Sequence, residues 1–345
     1  MEKGKILVTG GAGYIGSHTA WELVQSGYEP VLIDNFSKSD TTLLDGLEKL
    51  MGRKPLFYQG DCIDIGFLKH LFSLHQFKAV IHFAAYKAVG ESVQFPIKYY
   101  QNNINSLLSL LDVMEQEHVF NLIFSSSCTV YGQPKTIPVA ENAPFQKAES
   151  PYGATKQLCE RILEDTPKQN FRIISLRYFN PIGAHPTSLL GELPIGVPGN
   201  LVPFVTQTAI GKRGKLVVFG NDYNTPDGSN IRDFIHIVDL AKAHVSALTH
   251  LLAKTDGPAY DFFNLGTGQG NSVLEVIRVF EQVNNLKLNF EVGPRRSGDV
   301  EKTYADVAKA RTVLGWKAEL TLEDALRDAW NWEKKLAGHN YSAVY

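Results

Sequence analysis

The chain has almost no excess of charge of either sign: 34 Lys and Arg stand against 36 Asp and Glu, a formal net charge of -2. No global field therefore draws it to nucleic acid or to an anionic membrane, and any phosphate site must be local. Cysteine is scarce, with only Cys62, Cys128 and Cys159. An odd, widely spaced set without a Cys-x-x-Cys pair argues against a disulfide framework or a zinc knuckle; no metal site is expected, and a reducing cytoplasm is the expected setting. Long apolar runs are missing too. Nothing approaches the length of a membrane span, and the run from Lys5 to Thr9 is too short for a signal peptide. Neither an internal repeat nor a low-complexity tract occurs. What remains is an ordinary globular composition, 44% hydrophobic and 20% charged over 345 residues, which calls for one large α/β unit or a large domain with a smaller one.

Up to residue 180, short apolar runs alternate with longer segments of helical period, the pattern of a parallel sheet covered by helices. Strands are expected at Lys5 to Thr9, Pro30 to Asp34, Leu56 to Gln59, Ala79 to Phe83, Asn121 to Ser125 and Arg172 to Arg177. Beyond Asn180 five prolines, Pro181, Pro186, Pro194, Pro198 and Pro203, break the period into loops. A smaller region is expected there, with strands near Lys215 to Phe219 and Phe262 to Leu265 and helices near Val238 to Leu252, Ser272 to Val283 and Leu322 to Lys335. The expected fold is α/β: a Rossmann-type doubly wound parallel sheet over 1–180 and a smaller C-terminal α/β region over 181–345, with some chain crossing back, the second being substrate-binding by the resemblance set out below.

Gly10-Gly11-Ala12-Gly13-Tyr14-Ile15-Gly16 follows the first expected strand and opens a helix, so backbone amides can approach a pyrophosphate. Asp34 ends the next strand, 18 residues after Gly16, where a carboxylate accepts hydrogen bonds from ribose hydroxyls and favours NAD over NADP. Glycine clusters are often plain turns and an Asp after a strand often a helix cap; the order of strand, glycines, helix, strand and Asp makes the cofactor reading the stronger. Asp61 then falls near the adenine and Phe83-Ala84-Ala85 beside the pyrophosphate. Tyr152 and Lys156 stand four apart at the start of an expected helix and project from one face. An ammonium so placed lowers the pKa of a phenol and makes it a base for a sugar hydroxyl. Ser127, closing Ser125-Ser126-Ser127 at a strand end, is the third catalytic candidate.

These residues carry a resemblance. The chain resembles the extended short-chain dehydrogenase/reductases and, within them, the UDP-galactose 4-epimerase group over nearly its whole length. The match rests on Val8 to His18, Ala88-Val89-Gly90-Glu91-Ser92, Phe124 to Ser127, Arg177-Tyr178-Phe179-Asn180-Pro181, Arg232-Asp233 with Ile235-His236, Gly266 to Ser272 and Pro294-Arg295-Arg296. The resemblance implies NAD as cofactor, contacted by Gly10, Gly13, Tyr14, Ile15, Gly16, Asp34, Asn35, Asp61, Cys62, Phe83, Ala84, Lys87, Asn102, Tyr152, Lys156 and Phe179. It implies a UDP-hexose against Ser127, Tyr178, Phe179, Asn180, Asn200, Leu201, Val217, Val218, Phe219, Arg232, Arg296, Asp299 and Thr303, with the arginines neutralising pyrophosphate oxygens. The implied chemistry is inversion at C4 through a 4-keto sugar. It also implies a homodimer through the helices near Ile97 to Glu117 and Tyr152 to Glu164, although an apolar stripe on both could equally be core.

Related dehydratases and decarboxylases carry an acidic residue just after the catalytic hydroxyl, where this chain has Cys128 and Thr129. Loss of that acid favours simple epimerisation. Phe234 stands where many relatives have Tyr, and Thr303 where some place a bulky Tyr, which leaves room for an N-acetyl group at the hexose C2. A redox sensor built on the same fold and a simple alcohol dehydrogenase are the competing readings.

Overall fold

The computed structural model describes residues 3–166, 170–253, 259–296 and 299–338. Its first part runs β1 (Lys5–Thr9), α1 (Tyr14–Gln25), β2 (Glu29–Asp34), α2 (Thr42–Met51), β3 (Leu56–Gln59), α3 (Ile65–Leu74), β4 (Phe77–His82), α4 (Val89–Gln94), α5 (Pro96–Gln116), β5 (Asn121–Ser127), α6 (Pro151–Asp165) and β6 (Arg172–Tyr178). The second part adds β7 (Asn180–Ile182), α7 (Leu201–Ala209), β8 (Leu216–Phe219), β9 (Ile231–Arg232), β10 (Phe234–His236), α8 (Ile237–Ala253) and β11 (Tyr260–Leu265). It closes with β12 (Asn271–Ser272), α9 (Val273–Asn284), β13 (Phe290–Gly293), β14 (Lys302–Thr303), α10 (Ala308–Leu314) and α11 (Leu322–Leu336).

Seven parallel strands form the main sheet in the order β11-β6-β5-β4-β1-β2-β3. The inner strands are apolar on both faces because helices cover both. Alternation in β1 shows how: Ile6 and Val8 join the core under α1, α2 and α8, whereas Leu7 joins the one under α3, α5 and α6. The strand expected at Phe262 to Leu265 starts at Tyr260 and pairs with β6, so the chain returns to the large sheet after the loops of the second part. The C-terminal end of β4 lies at His82, one residue short of the expected end, and β5 and β6 extend to Ser127 and Tyr178.

Beyond the main sheet the strands are two to four residues long and form three small sheets, β10-β7, β12-β9-β14 and β13-β8. Strands so short make few ladder bonds, and side chains take over the pairing of main-chain donors. Buried Asp233, between β9 and β10, accepts from Thr267 N (2.8 Å), Gly268 N (3.1 Å), Ala305 N (3.1 Å) and the Thr267 hydroxyl (2.7 Å). Asp239 in α8 accepts from Glu319 N and Leu320 N at 2.8 and 2.7 Å, fixing the approach to α11. The packed centre of this part brings α7, α9 and α11 together around Val205, Ile277, Phe280 and Leu326. No helix among the described residues is long and apolar enough to cross a membrane.

Candidate active site

The glycine loop between β1 and α1 leaves no room for side chains. A Cβ at Gly10, whose φ is +68°, would meet Ala84 N at 3.0 Å, and one at Gly16 would meet Gly10 O at 2.3 Å. Asp34 closes the loop from below: its carboxylate accepts from Ala12 N (3.2 Å), Phe36 N (3.0 Å) and Ser39 Oγ (2.8 Å). Asn35 donates to Asp61 at 2.7 Å, and a cleft at the C-terminal ends of β1 to β4 is lined by Gly10, Asp34, Asn35, Asp61, Cys62, Ala84 and Asn102. Sterically bare amides beside a carboxylate that lines the cleft suit a dinucleotide whose ribose carries free hydroxyls, so the residues present fit NAD. Tyr14 opens α1 with its hydroxyl on Gly183 O (2.6 Å), Ile15 is half-buried after it, and Phe83 packs on His244. Gly13 precedes α1 as its cap, bonded through N to Gly10 O.

The catalytic candidates converge at the end of β5. Ser150 caps α6 by accepting from Gly153 N (3.2 Å), and Pro151 takes the first helical position, where its missing N–H is harmless. That start puts Tyr152 beside Ser127 and Lys156 one turn deeper, its Nζ donating to Ser125 O at 2.6 Å. The expectation that Lys156 lowers the Tyr152 pKa needs correction. Loss of water around the half-buried phenol pushes it up to about 12, with Ser127 acting the other way; the Lys156 ammonium lies 5.9 Å from the ring centre and donates to a carbonyl instead. Burial in turn pulls Lys156 down to about 8. Cys128 is no acid either, since burial pushes its thiol up to about 12.

The residues expected around a nucleotide diphosphate lie in the second part of the chain. Burial and the like charge of Arg296 lower the pKa of half-buried Arg232, a condition that a bound anion relieves, while Asp299 opposes them and pairs with Arg296 at 2.6 Å. Asn180 Oδ1 and the Tyr223 hydroxyl are buried without a hydrogen-bond partner among the described residues, polar groups that a bound ligand could satisfy. Asn200 caps α7 and Leu201 begins it; Val217, Val218 and exposed Phe219 lie on β8, with Arg296 5.6 Å above the Phe219 ring. Thr303 on β14 pairs with Arg232 on β9. Two candidates are set apart: the Tyr178 side chain is buried on His244 (2.6 Å), and Phe179 packs with Val130, Tyr131 and Val139, so either reaches the cleft chiefly through its main chain.

Two acidic residues that no motif marks also join this network. Glu192 accepts from Lys87 Nζ (3.1 Å) and Asn200 Nδ2 (2.7 Å), and so joins a cofactor candidate to a substrate candidate. Nothing around Gly191-Glu192-Leu193 signals this, because the meeting is between loops far apart in the chain. Glu160 did carry a signal, standing four residues beyond Lys156 on the same side of α6.

Known proteins resemble this chain over nearly its whole length. The family profile described as GDP-mannose 4,6 dehydratase matches residues 7–329. A UDP-glucose 4-epimerase of Yersinia enterocolitica is 50% identical over 331 residues, 95% of this chain and 97% of that one. One of Dictyostelium discoideum is 49% identical, with 95% of each chain covered. The crystal structure of UDP-glucose 4-epimerase from Bifidobacterium longum, in complex with NAD+ and UDP, superposes with a TM-score of 0.92 at 45% identity, covering 97% of this chain and 100% of that one. The chain therefore belongs to the family that this profile describes and, within it, to the UDP-glucose 4-epimerases.

Proposed function

We propose that the protein interconverts UDP-glucose and UDP-galactose by NAD-dependent inversion at C4. The observation that carries this is the meeting of Tyr152, Lys156 and Ser127 at the end of β5, in the sheet whose β1 opens into the glycine loop and with Arg232 near enough to act on Cys128. Residues 1–180 hold the dinucleotide and 181–345 the UDP-sugar, with α8 and β11 packed back on the first part. The contacts are those expected for Gly10, Gly13, Asp34, Asn35, Asp61, Lys87 and Asn102 toward the cofactor, and for Asn180, Asn200, Phe219, Arg232, Arg296 and Asp299 toward the nucleotide.

Tyr152 takes the O4 proton and Ser127 orients the same oxygen, so the phenol must reach the base form when the site is loaded. NAD held by the glycine loop and Asp34 would supply reversible hydride transfer at C4, and its nicotinamide charge would favour the Tyr152 phenolate. Arg232 and Arg296 hold the diphosphate while the hexose turns to present its other face, because most of the binding lies in the UDP portion. Thr303, smaller than Tyr, leaves space for an acetamido group, and UDP-N-acetylglucosamine is a second substrate. Exposed Ile97, Leu108 and Leu158 on α5 and α6 form a homodimer contact, and the setting is the cytoplasm.

Incubating the purified protein, with no added NAD, separately with UDP-glucose, UDP-galactose and their N-acetyl counterparts tests this. The expected products are the four C4 epimers. Net release of NADH in proportion to substrate would identify a dehydrogenase instead. Thr303→Tyr should abolish turnover of the N-acetyl pair alone, and sedimentation at micromolar concentration should give a dimer.

A further inference from the structure

Three consecutive serines end β5, and each meets a different turn of α6. Ser127 stands beside Tyr152, Ser125 O accepts from Lys156 Nζ, and Ser126, facing the other side of the strand, donates its hydroxyl to Glu160. The Glu160 carboxylate also takes a fork from Arg177 on β6, Nε at 2.9 Å and Nη2 at 2.6 Å, and the Tyr260 hydroxyl of β11 at 3.1 Å. Arg177 continues through Nη1 to the Tyr131 hydroxyl (2.9 Å) and Glu141 O (3.1 Å), and its guanidinium lies 4.0 Å from the centre of the Phe262 ring. Both charged residues are 3% exposed.

A buried ion pair is a poor device for stability alone, since apolar residues of like volume fill such a space as well or better. Its place is the informative feature. We propose that the Glu160–Arg177 pair is a positioning device for the reaction: it fixes α6 against β5 so that Tyr152 and Lys156 meet the sugar, and its carboxylate offsets the buried ammonium of Lys156. This inference rests on the epimerase reading.

The surroundings of Lys156 leave that second task to Glu160. From α6 it faces Tyr152, Cys159 and Glu160, from β5 the Ser125 carbonyl and the Phe124 ring, and from β4 His82. His82 is neutral, its pKa pulled to about 3 by burial and by Lys156, and the Cys159 thiol is pushed up to about 11 by burial. Glu160 is thus the one formal negative charge among these neighbours. Burial pulls the Lys156 pKa down, and Cys159 and then Glu160 act against it; with the thiol protonated below about 11, the opposing charge that remains is that of Glu160.

The test uses NAD-loaded protein carrying 13C at lysine Cε, with the Lys156 signal assigned through Lys156→Met, and follows pH titrations beside steady-state kinetics. Glu160→Gln should lower the Lys156 ionisation by about one pH unit, move the alkaline limb of kcat the same way, and cut kcat at least about tenfold with little change in KM. Glu160→Asp should recover part of both. Should Glu160→Gln fail to fold because Arg177 is left unpaired, the double change Glu160→Met with Arg177→Met removes both charges and should still lower the Lys156 titration and kcat. An unchanged Lys156 titration and kcat in a folded variant, with only the melting temperature altered, overturns the inference. Wild-type protein that fails to epimerise any UDP-hexose sinks the functional reading instead, and the lysine titration still decides whether Glu160 supports the Lys156 charge.

Discussion

The two halves of this molecule satisfy their backbones in different ways. Around the glycine loop, strands of four to seven residues pair into a seven-stranded parallel sheet, and the ladder does the work. Around the arginines, strands of two to four residues leave main-chain donors that buried carboxylates accept, Asp233 and Asp239 above all. A ladder is rigid and repetitive, which suits a cofactor held in one pose. Loops pinned at single carboxylates can shape a pocket to one nucleotide sugar, but each pin is a point of failure.

The contrast can be broken at four places. Tyr152→Phe should lower kcat about 10³-fold, by removing the acid/base hydroxyl, while UDP binding by calorimetry stays unchanged; a redox sensor would have no such turnover to lose. Asp233→Ala strips the acceptor from three amides and a hydroxyl, and should lower the unfolding free energy by about 3 kcal/mol in denaturant titrations. Hydrogen exchange should quicken near Thr267, Gly268 and Ala305 and not in β1 or β4. Asp34→Ala should weaken NAD retention by about 2 kcal/mol, roughly thirtyfold, as read by cofactor content after dialysis, and leave UDP affinity alone.

The fourth prediction concerns pH. Lys156 has a folded pKa of about 8, below its ordinary value of 10.5. Between those values the unfolded chain binds the extra proton, so the destabilisation from burying this charge is full below about 8 and fades as pH rises toward 10.5. The melting-temperature gain of Lys156→Met over wild type should therefore shrink across that interval. A gain that stays constant would mean the ammonium is solvated after all.

Legibility in the sequence follows the same division. The glycine loop, Asp34 and the strand runs up to β6 read directly, since period and turn chemistry are local. Tyr152 and Lys156 read from helical spacing, and the same spacing reaches Glu160 one turn on. Asp233 sits inside Arg232-Asp233 yet gives no hint of its role, because its partners at Thr267, Gly268 and Ala305 are 34 to 72 residues away. Glu192 was hidden for the same reason. The direction of the Tyr152 shift is not legible in the spacing, because loss of water around the phenol sets it and burial belongs to the fold rather than to the helix.

The most direct measurement follows the hydrogen at C4. UDP-galactose deuterated at that carbon, turned over by the purified protein in ordinary water, should give UDP-glucose that keeps its deuterium at C4, because the hydride leaves and returns within one closed site. Deuterium lost to the solvent would contradict hydride return and, with it, the roles assigned to Tyr152, Lys156 and the glycine loop.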